Sequence, residues 1–131
     1  MPPDDPLTLA IVDDDDDVRV ALSRLLRAMG HRVELFASAE AFEAGPATVD
    51  CVIVDVHLPG LSGLELRERL RHRTDAAPIV LITGDGDRIA RDIGCEQDTP
   101  LLTKPFDAAL LASAITSAIS MAGSHRERHA H

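Results

Sequence analysis

The chain has 131 residues and a mass of 14.1 kDa, enough to bury the core of one domain and too little for two ordinary ones. Hydrophobic residues make up 45% and aromatics only 2%, namely Phe36, Phe42 and Phe106, with no Trp or Tyr, which excludes aromatic stacking platforms for single-stranded nucleic acid. The formal net charge of -9 opposes phosphate backbones and anionic membrane surfaces, so direct DNA binding is disfavoured and cations or basic surfaces are the expected partners.

Short apolar runs alternate with helical patterns. Leu7 to Val12 reads as a strand that ends in five aspartates. From Asp17 to Met29 the residues Val18, Ala21, Leu22, Leu25, Leu26 and Met29 keep helical spacing, with Asp16 or Asp17 as the expected cap and Gly30 as the stop. Val33 to Phe36 is a second strand, and Ser38 to Glu43 a short helix opened by a serine cap and ended by Gly45-Pro46. Cys51 to Val56 is a third strand with Asp55 near its carboxyl end. After a Leu58-Pro59-Gly60 turn, Ser62 caps a helix carrying Leu64, Leu66 and Leu70. Ile79 to Thr83 is a fourth strand, Arg88 to Ile93 a weak helix between Gly86 and Gly94, and Leu101 to Thr103 a short last strand. Asp107 to Met121 is the final helix, with Leu111, Ile115, Ala118 and Ile119 on one face, and Ser124 to His131 is a polar tail.

Five repetitions of strand then helix, with unbroken apolar strands, predict an α/β fold: an open, doubly wound parallel sheet with helices on both faces. The expected boundaries are one domain over 1–123 and a tail over 124–131. No apolar run approaches the ~20 residues of a membrane span. MPPDDP is acidic and proline-rich, the reverse of a signal peptide. Cys51 and Cys95 fit no metal or disulfide spacing and read as buried free thiols. The expectation is a cytoplasmic protein with no membrane association.

In such a sheet, ligands bind beyond the carboxyl ends of the strands. Those ends carry Asp13 and Asp14, Asp55, Thr83 and Lys104. Clustered carboxylates raise one another's pKa unless something positive sits among them, and Mg²⁺ takes one or two carboxylates, a carbonyl, waters and a substrate phosphate. A carboxylate can also attack phosphorus and form an aspartyl phosphate, with a lysine and a hydroxyl meeting the phosphoryl oxygens.

Four motifs, IVDDDDDVR, VDVHLPGLSGLEL, VLITG and LLTKPF, occur in order at strand ends. Together they resemble the receiver domain of two-component response regulators over roughly residues 7–121. VDDDDDVR, SAEAFEA and LITGDGD are most similar to the FixJ-type branch. The resemblance implies a flavodoxin-like five-stranded sheet in the order 2-1-3-4-5. It implies Asp55 as phosphoacceptor, Asp14 as a direct Mg²⁺ ligand, Asp13 as a ligand through water, and the backbone carbonyl of His57 as a further ligand. Thr83 matches the switch hydroxyl. Lys104 matches the phosphate-binding lysine, and Pro105 follows it across a bond that is often cis. The implied donor is a phosphohistidine on a sensor histidine kinase or a phosphotransfer protein.

The chain departs from the family pattern twice. Leu101 stands where receivers carry an aromatic ring three residues before the lysine. Cys95 to Pro100 (CEQDTP) replaces the usual small Gly-Ala step, which alters the expected output face. Asp15, Asp16 and Asp17 read as a solvated acidic run, the His57 imidazole as solvent-facing, and the His125 and His129 pair as unliganded.

The resulting expectation is a stand-alone, non-enzymatic receiver that binds a separate effector, with a homodimer also open. No output domain fits after Met121, although a receiver cut from a longer regulator satisfies the same residues. Two other readings stay open: a Mg²⁺-dependent aspartate-nucleophile phosphatase and a phosphorylation-independent pseudo-receiver. The phosphatase wants a second carboxylate where Asp55-Val56-His57 has the histidine.

Overall fold

The computed structural model describes residues 6–45, 48–72, 77–84 and 99–129, with the side chains of 122–129 outside the description. The elements are β1 (Thr8–Val12), α1 (Asp16–Ala28), β2 (Arg32–Phe36), α2 (Ala39–Ala44), β3 (Cys51–Asp55), α3 (Gly63–Arg71), β4 (Ile79–Thr83), β5 (Leu101–Thr103) and α4 (Ala108–His129). All strand pairings are parallel, in the order β2-β1-β3-β4-β5. The helix expected over Arg88 to Ile93 and the thiol of Cys95 lie outside the described residues.

Strand alternation divides the core in two. Ala10, Val12, Val52, Val54, Ile79 and Leu81 pack with Ala39 and Phe42 of α2 and Leu66 and Leu70 of α3. Leu9, Ile11, Cys51, Ile53, Val80 and Ile82 pack with Leu22 and Leu26 of α1 and Leu111, Ala114, Ile115 and Ala118 of α4. β3 and β4 are buried along their whole length, because helices cover both faces. β2 is an edge strand and leaves Leu35 exposed.

Local chemistry sets the helix ends. Asp15 caps α1, its side chain accepting from the amides of Asp17 and Val18. This corrects the expected cap at Asp16 or Asp17, since five consecutive aspartates give the sequence no unique cap. Ala21, expected on the apolar stripe, is exposed. Gly30, at φ 95°, stops α1: its amide donates to Arg27 O at 3.0 Å and that of His31 to Leu26 O at 3.1 Å, a left-handed glycine ending. Ser38 Oγ accepts from Ala41 N at 3.0 Å to open α2, and Ser62 with Glu65 forms a reciprocal capping box on α3. Asp107 Oδ1 accepts from Leu110 N at 2.8 Å at the start of α4. That helix continues past Met121 to His129, so most of the expected tail has helical backbone.

Candidate functional site

Parallel strands bring their carboxyl ends to one edge. Asp13 follows β1, Asp55 ends β3, Thr83 ends β4 and Lys104 follows β5. Val12 is paired with Val54, and the next residue along each strand is Asp13 and Asp55. One carboxylate oxygen from each of Asp13, Asp14 and Asp55 lies within 4.8 Å of the others. The structure therefore gathers the three aspartates singled out from strand ends alone.

Asp55 is held from two sides. Its Oδ1 accepts from the His57 amide at 2.8 Å, which fixes the carboxylate's rotation. Its Oδ2 lies 3.4 Å from Lys104 Nζ, a charge contact at the long end of hydrogen bonding. Lys104 is itself placed by its amide, which donates to Thr83 O at 2.8 Å, and the Lys104-Pro105 bond is cis. Thr83 is fully buried. The His57 side chain is exposed, as expected of a residue whose candidate contribution is its carbonyl.

Asp13 is 1% exposed, while Asp14 is exposed. Asp13 Oδ1 accepts from Asp15 N at 2.9 Å, and the buried Oδ2 has no hydrogen-bond partner. Burial pushes the Asp13 carboxyl up to about 6, and the charge of Asp55 adds to that; the Asp15 amide and Lys104 pull the other way. A buried oxygen without a partner, beside two more carboxylates, is the donor set that a hard divalent cation takes. The residues present fit Mg²⁺.

Two supporting residues escaped the sequence reading. A Cβ built on Gly63 would stand 2.4 Å from Asp55 O and 2.9 Å from Val56 Cα, so only glycine lets α3 begin this close to the end of β3. The signal available was a glycine at the first helical position, where better helix formers are usual. The other is Arg19, whose Nη1 donates to Asp13 O at 2.6 Å.

Comparisons with known proteins bear on the same residues. The response regulator receiver domain profile matches residues 9–116. The chain is 38% identical over 120 residues to the response regulator protein TmoT of Ectopseudomonas mendocina, covering 89% of this chain and 54% of that protein. It is 38% identical over 115 residues to the transcriptional regulatory protein FixJ of Bradyrhizobium diazoefficiens, covering 86% and 56%. It thus spans about half the length of the curated relatives it matches. Among solved structures, the BeF3-activated receiver domain of DrrB superposes with a TM-score of 0.75 at 26% identity, covering 88% of this chain and 99% of that one. With its motifs in order at the strand ends, its 2-1-3-4-5 sheet and this match over most of its length, the chain belongs to the receiver domain family of two-component response regulators.

Proposed function

We propose that Asp55 is the phosphoacceptor of a two-component relay and takes its phosphoryl group from a phosphohistidine on a sensor histidine kinase or phosphotransfer protein. The observation that carries this reading is the Asp55 carboxylate at the end of β3, clustered with Asp13 and Asp14 and 3.4 Å from Lys104 Nζ. An oxygen of Asp55 attacks phosphorus, the P–N bond to the donor imidazole breaks, and that nitrogen leaves with the electron pair and takes up a proton. Lys104 meets the charge on the phosphoryl oxygens, and the Thr83 hydroxyl donates to one of them. Asp14, Asp55 and the His57 carbonyl would hold Mg²⁺ directly and Asp13 would hold it through water; bound there, Mg²⁺ neutralises the carboxylates and the incoming phosphoryl oxygens. Among the described residues no helix is long and apolar enough to cross a membrane, and the acidic charge fits a cytoplasmic domain that binds protein partners in place of DNA. Phosphorylation switches the partner surface toward a separate effector or a second copy of the chain.

The test is intact mass after incubation with acetyl phosphate and Mg²⁺. The parent gains one phosphoryl group, and the gain is lost without Mg²⁺ and in Asp55→Asn. A gain that persists in Asp55→Asn moves the phosphoacceptor elsewhere. No gain from acetyl phosphate or from a phosphohistidine donor leaves Asp55 without that role.

A further inference from the structure

We infer that Arg19 is a positioning residue for the cation pocket: it clamps the main chain between Asp13 and Asp14 while Asp16 offsets its charge. The inference rests on the reading of Asp13, Asp14 and Asp55 as the cation-holding residues and adds a residue to that machinery.

The link from β1 to α1 is short, running from Asp13 to the cap at Asp15, and it is tied at both ends. The Asp15 amide donates to Asp13 Oδ1 at 2.9 Å. The Asp15 carboxylate accepts from Asp17 N at 2.9 Å and Val18 N at 3.3 Å. From the first turn of α1, Arg19 reaches back to donate to Asp13 O at 2.6 Å, and its other terminal nitrogen pairs with Asp16 Oδ1. The Asp13 carbonyl belongs to the peptide plane that joins Asp13 to Asp14, and the ψ of Asp13 and φ of Asp14 on either side of it together set how the two side chains are oriented relative to each other. Arg19 fixes the plane by its oxygen.

Charge makes the placement informative. A guanidinium beside a cation pocket opposes the cation by simple Coulomb repulsion, so its presence there calls for a compensating gain. The Arg19 side chain is only 16% exposed, whereas that of Asp16 is 85% exposed. The acidic partner thus stands on the solvent side and reduces the field that Arg19 projects. Residues of the aspartate run that looked like mere solvated charge acquire tasks: Asp15 starts the helix, and Asp16 balances the clamp.

This separates positioning from a field effect by sign. If Arg19 acts through its charge alone, its neutralisation tightens Mg²⁺ binding. If it holds the pocket, neutralisation weakens binding, as the loss of groups that orient metal ligands does. Mg²⁺ titrations of the full chain, followed by backbone amide NMR shifts, read this directly, with urea melts of the metal-free proteins by far-UV circular dichroism as the control for folding. Arg19→Gln is expected to weaken Mg²⁺ binding roughly tenfold with little change in the metal-free urea midpoint. Arg19→Lys, which keeps the charge and one reach to the carbonyl, binds closer to the parent than Arg19→Gln does. Equal or tighter binding by Arg19→Gln overturns the clamp, as does a loss of affinity that only tracks the urea midpoint across both variants. A parent that binds no Mg²⁺ fails at the earlier step, the reading of the aspartates, and takes the inference with it.

Discussion

Asp13 is 1% exposed with its carboxyl raised to about 6, so at neutral pH the folded protein holds a buried negative charge beside Asp55. In the unfolded chain the same carboxyl ionises near its ordinary value of 3.8. Between those values the folded state binds more protons, so stability falls as pH rises through this window and stays lower above it. Asp13→Asn is therefore expected to stabilise the metal-free protein by on the order of 2 kcal/mol at pH 7.5 and to do little at pH 4. Urea unfolding by circular dichroism at both pH values checks this, since the absence of Trp and Tyr removes the usual fluorescence probe. An equal effect at both pH values would trace it to packing instead of charge. Cys51 is the opposite case: burial pushes its thiol up to about 12, so it stays neutral and serves as an apolar core residue.

At the scale of elements, α3 carries the tightest geometrical demand on the site. Its first residue, Gly63, donates its amide to Val56 O at 3.1 Å, and a methyl group there would press into the backbone of Asp55. Gly63→Ala is expected to cost about 2 kcal/mol through forced backbone shifts, despite the better helix propensity of alanine. Gly84→Ala is the matched control, because a Cβ at Gly84 meets nothing within 4 Å among the described residues. Equal urea midpoints for the two variants would show that β3 and α3 part without cost. Further along α3, the buried Arg67 donates from Nε to Thr99 Oγ1 at 2.7 Å, tying the helix to the approach to β5.

These two contacts show what one sequence can and cannot reveal. The placement of Asp13, Asp14, Asp55, Thr83 and Lys104 at one edge was legible because parallel strands must end there, and each residue stands at or within two positions of the end of an apolar run. Gly63 left only the trace of a glycine at a helical position and Arg67 left none, because the close approach of α3 to Asp55 and the burial of an arginine are properties of two elements meeting. The cap of α1 was blurred for a different reason: with aspartate at every position from 13 to 17, side-chain chemistry cannot choose among neighbours, and the fold settles on Asp15. Strand limits shifted by a residue, as at Val56, which lies beyond the end of β3 yet is buried and still donates its amide to Ile82 O at 2.9 Å.

At the scale of the molecule, the sheet separates two cores that share no side chain among the described residues, one under α2 and α3 and the other under α1 and α4. The strands act as a partition wall, one backbone thick. Ile79→Val, on the first side, and Ile115→Val, on the second, are each expected to cost about 1 kcal/mol. The double variant should equal their sum within about 0.5 kcal/mol. Ile82→Val with Ile115→Val, which lie in one core, is the comparison that is free to depart from additivity. A strong coupling across the wall, read from the same urea melts, would mean that the sheet transmits strain instead of absorbing it. If the wall insulates, mutations can accumulate on one side of the protein without being constrained by the other, and each half can be redesigned or can drift on its own schedule.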